Sequence, residues 1–388
     1  MTPERFQDLV GRLETMSAAS PGRYRGTVFA LTLLGFLLIA LVVCGLGAGL
    51  VALLGIAAWV ALQGSAALIL LFKLGKLLVL LAVGLWMMLK TTAGALFVRL
   101  APPQGRELTR GEAPALFAAL DRMRVQMRGP AFHQVLLVDG VNAAVMQRPA
   151  FGLVGWPRNY LLLGLPLLEG MSEDEALAVV AHEYGHLAGS HSHFAAFVYR
   201  LRLAWATLLA HLEQQTGRLS LWLSAPLLRF VPYYNAYTFV LARSDEYAAD
   251  AAAAALVGRD AACAALKRTQ ILGARHERFM GEVFNGIAQE PAPPADLTVR
   301  WADSLAQAPA QADVQLWLGQ ALDRSGRATD THPTLRLRLA ALRSTGEAPE
   351  DAPAPLSGAS AAQAWLGASL PELRAAFARD WAERVREP

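Results

Sequence analysis

His182-Glu183-Tyr184-Gly185-His186 lies inside a longer stretch, Ser172 to Ala188, whose other residues favour a helix. Ser172 with Glu175 three residues on reads as a capping box, and Ala176, Leu177, Val179, Val180, Leu187 and Ala188 supply helix formers and an apolar face. On such a helix, positions four apart point the same way, so the two imidazoles stand one turn apart with Glu183 beside them. That spacing suits two ligands of one tetrahedral zinc, with Glu183 facing a zinc-activated water, and the chemistry it implies is hydrolysis.

Around this stretch the chain is unusually apolar. Its 388 residues, 54% hydrophobic with mean hydropathy +0.32, exceed what a soluble domain of this size carries. The excess sits at the N-terminal end. No charged residue occurs from Val28 to Leu62, and from Ala66 to Val98 only Lys73, Lys76 and Lys90 interrupt the apolar run. A cleaved leader fits poorly, because Glu4, Asp8 and Glu14 precede an apolar run far longer than a leader's core. The reading is a membrane protein.

The first run would form a helix of roughly 52 Å, against a hydrocarbon core of about 30 Å, so it must tilt, project or break. Gly45, Gly47 and Gly49 are the candidate break. Either a hairpin spans about 27 to 57 and 70 to 98, or three shorter spans cover about 28 to 44, 50 to 72 and 77 to 98. Arg5, Arg12, Arg23 and Arg25 before the block and Arg99, Arg106 and Arg110 after it favour the same side for both flanks, hence the hairpin. The expected division is a cytoplasmic segment over 1–26, a hairpin over 27–98, a catalytic domain over 99–346 and a Pro-rich linker with a helical tail over 347–388.

The net charge of +3 and pI near 9.0 come with no basic stripe interleaved with aromatics, so nucleic acid is not an expected partner. Two cysteines, Cys44 and Cys263, make neither a disulfide framework nor a thiolate metal cluster. Upstream of the motif the pattern predicts a helix over Ala113–Met127 and short strands at Gln134–Val138, Ala143–Gln147 and Asn159–Leu163. Downstream, Phe194 to Leu212 and Leu219 to Leu241 are apolar but broken by Arg200, Arg202, His211, Pro226, Arg229 and Pro232. They read as helices packed on the domain or partly sunk in the membrane interface, an insertion over 194–241. If groups on both sides of it bind one metal, it crosses the membrane zero or two times. Beyond residue 250 the chain is Ala-rich and helical, with breaks at Glu290–Ala295 and Glu347–Pro355.

A catalytic zinc needs a third protein ligand. The pattern that puts a third histidine ten residues after His182 fails, since that position is Ser192 and His191 and His193 each fall one residue off. A better source is Asp245-Glu246-Tyr247-Ala248-Ala249-Asp250, acidic residues entering an alanine helix. Glu246 and Asp250 are one turn apart, so one carboxylate can bind metal while the other receives a hydrogen bond from a ligand histidine.

These residues together resemble the membrane-bound gluzincins, the zinc metallopeptidase family of the bacterial HtpX heat-shock protease and the type I CAAX prenyl protease, over roughly residues 110 to 343. His182, Glu183 and His186 match its helix motif, and Glu246 and Asp250 match its E-x-x-x-D. Val138-Asp139-Gly140-Val141-Asn142-Ala143 is similar to its strand and turn with Asn-Ala, and Thr331-His332-Pro333 with Arg338 to its H-P-x-x-x-x-R. Thr334 departs from the second Pro common there, and the tail after Gly346 lies outside the shared core.

The resemblance implies a mainly α fold with a small β-sheet, transmembrane helices followed by a zinc metalloprotease domain. It implies one zinc held by His182, His186 and Glu246, with Asp250 behind a ligand histidine, Glu183 as base and His332 near the oxyanion. The Asn142, Ala143 and Ala144 edge would hold substrate backbone. The expected activity is endopeptidase cleavage of membrane polypeptides in quality control, at the bacterial inner membrane with the catalytic domain cytoplasmic. A processing protease for one partner and a non-catalytic zinc-bound scaffold are the alternatives.

Overall fold

A computed structural model of the chain describes residues 2–95, 101–151, 154–188, 197–198, 201–202, 204–205, 218–286, 292–324, 332–342 and 348–386. It is mostly helical with one small sheet, as the sequence indicates. The contacts divide it into two compact units. One comprises Met1–Ala101, Pro149–Trp156 and His193–Leu241, the other Pro102–Arg148, Pro157–Ser192 and Ala242–Pro388.

The first unit opens with α1 (Pro3–Ala19), whose N-terminus is closed by Thr2 accepting the Arg5 N–H at 3.4 Å. Next comes α2 (Pro21–Ala61), then α3 (Ser65–Ala95). Helix α2 runs unbroken for 41 residues straight through Gly45, Gly47 and Gly49. A Cβ at any of the three would meet nothing within 4 Å, so these glycines serve neither a break nor a close helix approach. The chain turns instead after Leu62, where Gly64 takes φ +105°, a conformation open mainly to glycine.

Two helices here, Pro21–Ala61 and Phe72–Gly94, are long and apolar enough to cross a membrane. Their large side chains, among them Leu37, Leu54, Trp59, Phe72 and Leu80, are exposed, unlike those of a soluble core helix. One face of the N-terminal half of α2 is the exception. There Tyr24, Val28 and Ile39 are buried with Leu201, Trp205, Tyr234 and Phe239, and the Tyr24 hydroxyl donates to the Tyr237 carbonyl at 2.6 Å. Thr32 meets the Tyr234 hydroxyl at 3.0 Å, so these two hydroxyls are paired inside the cluster. Most of the expected Phe194–Leu212 segment lies outside the described residues, while the second apolar stretch falls within α7 (Arg218–Val257).

The second unit contains the sheet. Its strands are β1 (Arg106–Glu107), β2 (Gln134–Val138), β3 (Ala143–Phe151) and β4 (Val154–Gly164), in the order β1-β2-β4-β3. β1 pairs with β2 antiparallel, and β2 pairs with β4 in parallel, Leu136 opposite Leu162. Parallel pairing of β2 and β4 leaves β3 at an edge of the sheet. β3 and β4 run longer than their apolar alternation indicates, and the two-residue β1 carries too little pattern to be read from sequence.

Helix α4 (Pro114–Met127) lies between β1 and β2, and α5 (Leu165–Glu169) and α6 (Glu173–Ala188) follow the sheet. The capping box at the head of α6 is formed: the Ser172 N–H donates to Glu175 Oε2 at 2.9 Å and the Glu175 N–H to Ser172 Oγ at 3.3 Å. Further along come α8 (Arg259–Asn285), α9 (Leu297–Ala306), α10 (Gln311–Asp323), α11 (Leu335–Leu342), α12 (Ala361–Leu366) and α13 (Leu370–Arg386), of which α8 and α12 pack against α6 and α10 and α11 pack on α8.

The residues beyond 347 are woven into this core. Buried Lys267 of α8 donates from Nζ to the carbonyls of Ala348 and Asp351 at 2.9 and 2.8 Å, and the Ala361 N–H donates to the Met171 carbonyl at 2.8 Å. Trp365, Leu366, Leu370 and Leu373 are then buried in the same cluster as Val180, Ala181 and Tyr184 of α6. Trp365→Ala is expected to cost about 3–5 kcal/mol through the cavity it opens, lowering the thermal midpoint in detergent by about 10 °C. A midpoint unchanged in near-ultraviolet circular dichroism would show that this segment does not support the core.

Candidate metal centre

Tyr184 fixes how α6 is seated. It is fully buried, and its hydroxyl donates to the Pro130 carbonyl at 2.7 Å, tying α6 to the loop after α4. One residue further along the helix, a Cβ on Gly185 would stand 3.1 Å from the Ala249 Cα and 3.3 Å from its Cβ. α6 and α7 therefore touch backbone to backbone at this level. Gly185 lies between the two histidines and Ala249 between Glu246 and Asp250, so the close approach brings both pairs face to face.

His182 Nε2 lies 3.5 Å from Glu246 Oε2, and His186 Nε2 lies 3.4 Å from Glu246 Oε1. One ligand atom from each of His182, His186 and Glu246 lies within 4.8 Å of the other two, the separation at which three donors can share an ion. Their exposure differs: the side chain of His182 is 10% exposed and that of Glu246 7%, whereas His186 reaches 33%, opening one side to solvent.

Behind His182, its Nδ1 meets Asp250 Oδ1 at 2.8 Å, which leaves Nε2 facing Glu246. Asp250 is in turn gripped by Arg338, Nε to Oδ2 at 2.8 Å and Nη2 to Oδ1 at 2.6 Å, a bidentate ion pair. Arg338 is the site residue whose role the sequence leaves unread. Its signal is a charged residue on α11 amid Leu335, Leu339 and Leu342, where a buried guanidinium requires a carboxylate. With Arg338→Leu, Asp250 stays buried with His182 as its remaining partner, and zinc affinity is expected to fall roughly 10- to 100-fold in competition with a chromophoric chelator. Unchanged affinity would show that the Asp250–Arg338 pair does not orient His182.

The electrostatics are those of a site that holds positive charge. Burial opposes ionisation of Glu246, but His182, His186 and His332 outweigh it and hold the carboxyl well below its usual range. Burial likewise opposes a proton on His182, yet Asp250 and Glu246 push it up to about 9. Asp250 is held low by Arg338 and His182 against burial. Glu246 Oε2 sits 2.8 Å from His332 Nδ1, but it has no hydrogen bond of acceptable geometry among the described residues. A buried carboxylate oxygen surrounded by imidazole nitrogens and lacking an aligned donor is what a divalent cation satisfies, so the residues present fit zinc.

Glu183, Asn142, Ala143, His332 and Arg338 line one cavity of about 120 Å³ with His182 and Asp250. Leu167 of α5 forms another part of its wall. Ala143 begins the edge strand β3, and the Asn142 carbonyl accepts the Gly164 N–H at 2.8 Å. Gly164 is obligatory there, since a Cβ would lie 1.8 Å from the Gly140 carbonyl oxygen. Ala144 follows within β3. His332 is 67% exposed and raised in pKa by its contact with Glu246. His191, Ser192, His193 and Thr331 lie outside the described residues.

A histidine pair on one helix, a glutamate on the next and a small sheet with its edge at the cleft together describe a metallopeptidase domain. Residues 136–346, more than half the chain, match Peptidase family M48, and the chain belongs to that family. Among solved structures, the crystal structure of S. mikatae Ste24p aligns at 16% identity over 87% of this chain and 76% of that one, with a TM-score of 0.32. No curated protein matches the chain.

Proposed function

We propose that the chain is an integral-membrane, zinc-dependent endopeptidase that cleaves polypeptides in membrane-protein quality control. The observation that carries this reading is the shared cavity: Glu183 lines the same space as His182 and the Asn142–Ala143 entry to β3. His182 and His186, through their ring nitrogens, and Glu246, through its carboxylate, would hold the metal. When bound, zinc would acidify a water and polarise the scissile carbonyl. Glu183 would take the proton of the attacking water and return it to the leaving amine. His332 would donate to the oxyanion that develops on the carbonyl.

Substrate would add as a further strand against the Asn142, Ala143 and Ala144 edge. Backbone hydrogen bonding of that kind gives affinity with little demand on side chains, which favours broad selection of unfolded chains over one dedicated partner. The apolar helices α2 and α3 would hold the domain at a bilayer, and the arginines flanking them favour a cytoplasmic active site in a bacterial inner membrane.

Membrane vesicles containing the protein test this reading. Cleavage of several unrelated unfolded membrane polypeptides is expected, stopped by a chelator and restored by zinc. Cleavage of one sequence only would replace quality control with dedicated processing. Turnover unaffected by metal removal would overturn the zinc-dependent reading.

A further inference from the structure

The second unit holds another cavity, of about 250 Å³, which shares no lining residue with the metal site. Its walls include His276 and Phe279 from α8, Trp301 from α9, and Phe377 and Trp381 from α13. The rings are interlocked: His276 meets Trp301 edge-on with centroids 4.9 Å apart, and Phe279 lies 5.4 Å from Trp301. The Trp301 Nε1–H is already used, donating to the Pro166 carbonyl, so these rings present chiefly π faces and edges.

Into this aromatic lining α5 places Glu169, a carboxylate only 4% exposed. Oε1 receives Arg374 Nε at 2.7 Å, but buried Oε2 has no hydrogen-bond partner among the described residues. Burial pushes the Glu169 carboxyl up to about 7 even with Arg374 beside it, so one guanidinium does not compensate this site. Leaving a charged oxygen buried and unpaired is costly, and natural proteins rarely do so without a function.

The other charges near the cavity cancel. Asp139, a rim residue, pairs with Arg384. Burial depresses the pKa of His276 against a weaker opposing pull from Asp139, so its ring adds no repelling charge. A bound cation would thus face one half-satisfied carboxylate and several aromatic rings. This combination selects ammonium groups, which gain both the ion pair and attraction to the ring faces.

We propose that this cavity is a second ligand site, which takes a small protonated amine on an apolar body, its N–H donating to Glu169 Oε2 and its body lying among Phe279, Trp301 and Trp381. Two of the walls, Phe377 and Trp381, lie beyond residues 136–346, so the pocket depends on this chain's own C-terminal helix rather than on the matched family segment. The site also has a mechanical link to the metal centre. α5 carries Glu169 into this cavity and Leu167 into the other, and the residue that caps its start, Gly164, is the one bonded to Asn142.

Fluorine NMR titration of the full chain in detergent with 4-fluorophenethylamine tests the proposal, with 4-fluorophenethyl alcohol as the neutral counterpart. Saturable amine binding is expected, roughly tenfold tighter than the alcohol and weakened roughly tenfold by Glu169→Gln, the size of a desolvated cation–ring and ion-pair contribution. Trp381→Ala, at a half-buried position, is expected to weaken the amine as well and decides the matter if Glu169→Gln does not fold. Equal affinity for amine and alcohol, non-saturable uptake into detergent, or binding that survives the substitutions would overturn it. Binding at the metal centre would survive both substitutions, which separates the two sites.

Discussion

Glu183→Gln is expected to keep its full complement of zinc and to lose peptide hydrolysis by about 10²- to 10⁴-fold, the range that a positioned general base supplies. The separation of the two effects follows from geometry. Glu183 stands between His182 and His186 in sequence and lines the cavity with His182, but it is not among the three residues whose donor atoms converge. An amide replaces the carboxylate with nearly the same volume and cannot accept the proton. Metal content by mass spectrometry and the rate of cleavage of an unfolded polypeptide check both halves. Wild-type activity in this variant would remove Glu183 from the chemistry.

Glu246→Ala is expected to do what Glu183→Gln does not, releasing the metal itself. Glu246 is the shared neighbour of His182, His186 and His332, and it is almost wholly buried. Its removal subtracts a ligand and leaves the imidazoles facing a void. The loss of zinc affinity should exceed the roughly 10- to 100-fold typical of losing an outer partner, and activity should disappear with the metal. Equilibrium dialysis against buffered zinc, run beside Arg338→Leu, orders the two effects. Zinc and activity retained in Glu246→Ala would sink its assignment as third ligand.

Much of this site is legible in the sequence because its parts obey short-range rules. The i, i+4 spacing of His182 and His186, the same spacing of Glu246 and Asp250, and the capping box at Ser172 are local regularities, and helix geometry turns each into a direction in space. The strands at Gln134 and Ala143 are legible for the same reason. What is not legible depends on partners far apart in the chain. Arg338 closes the H-P-x-x-x-x-R match, but nothing near it in sequence names Asp250 as its partner. Glu169 looks like an ordinary acidic helix end, since nothing near it in sequence announces Trp381. Lys267 gives no hint that it clamps carbonyls of Ala348 and Asp351, so the residues after Glu347 read as an appendage rather than as core. In α2 the three glycines carry a local signal for a break that the long apolar helix overrides.

The contact of Gly185 with Ala249 works as a gauge for the metal centre. Two rigid rods carry the ligands, and the gap between them is set where neither rod has room for more than a methyl group. An alanine at 185 would favour the helix by about 1 kcal/mol, and the chain forgoes that gain. Zinc bonds nitrogen and oxygen at about 2.0–2.2 Å, while calcium prefers oxygen at about 2.3–2.6 Å. In the proposed zinc site, the spacing between the donors would thus be set partly by an atom that is not there, three residues along the helix from His182 and one from His186.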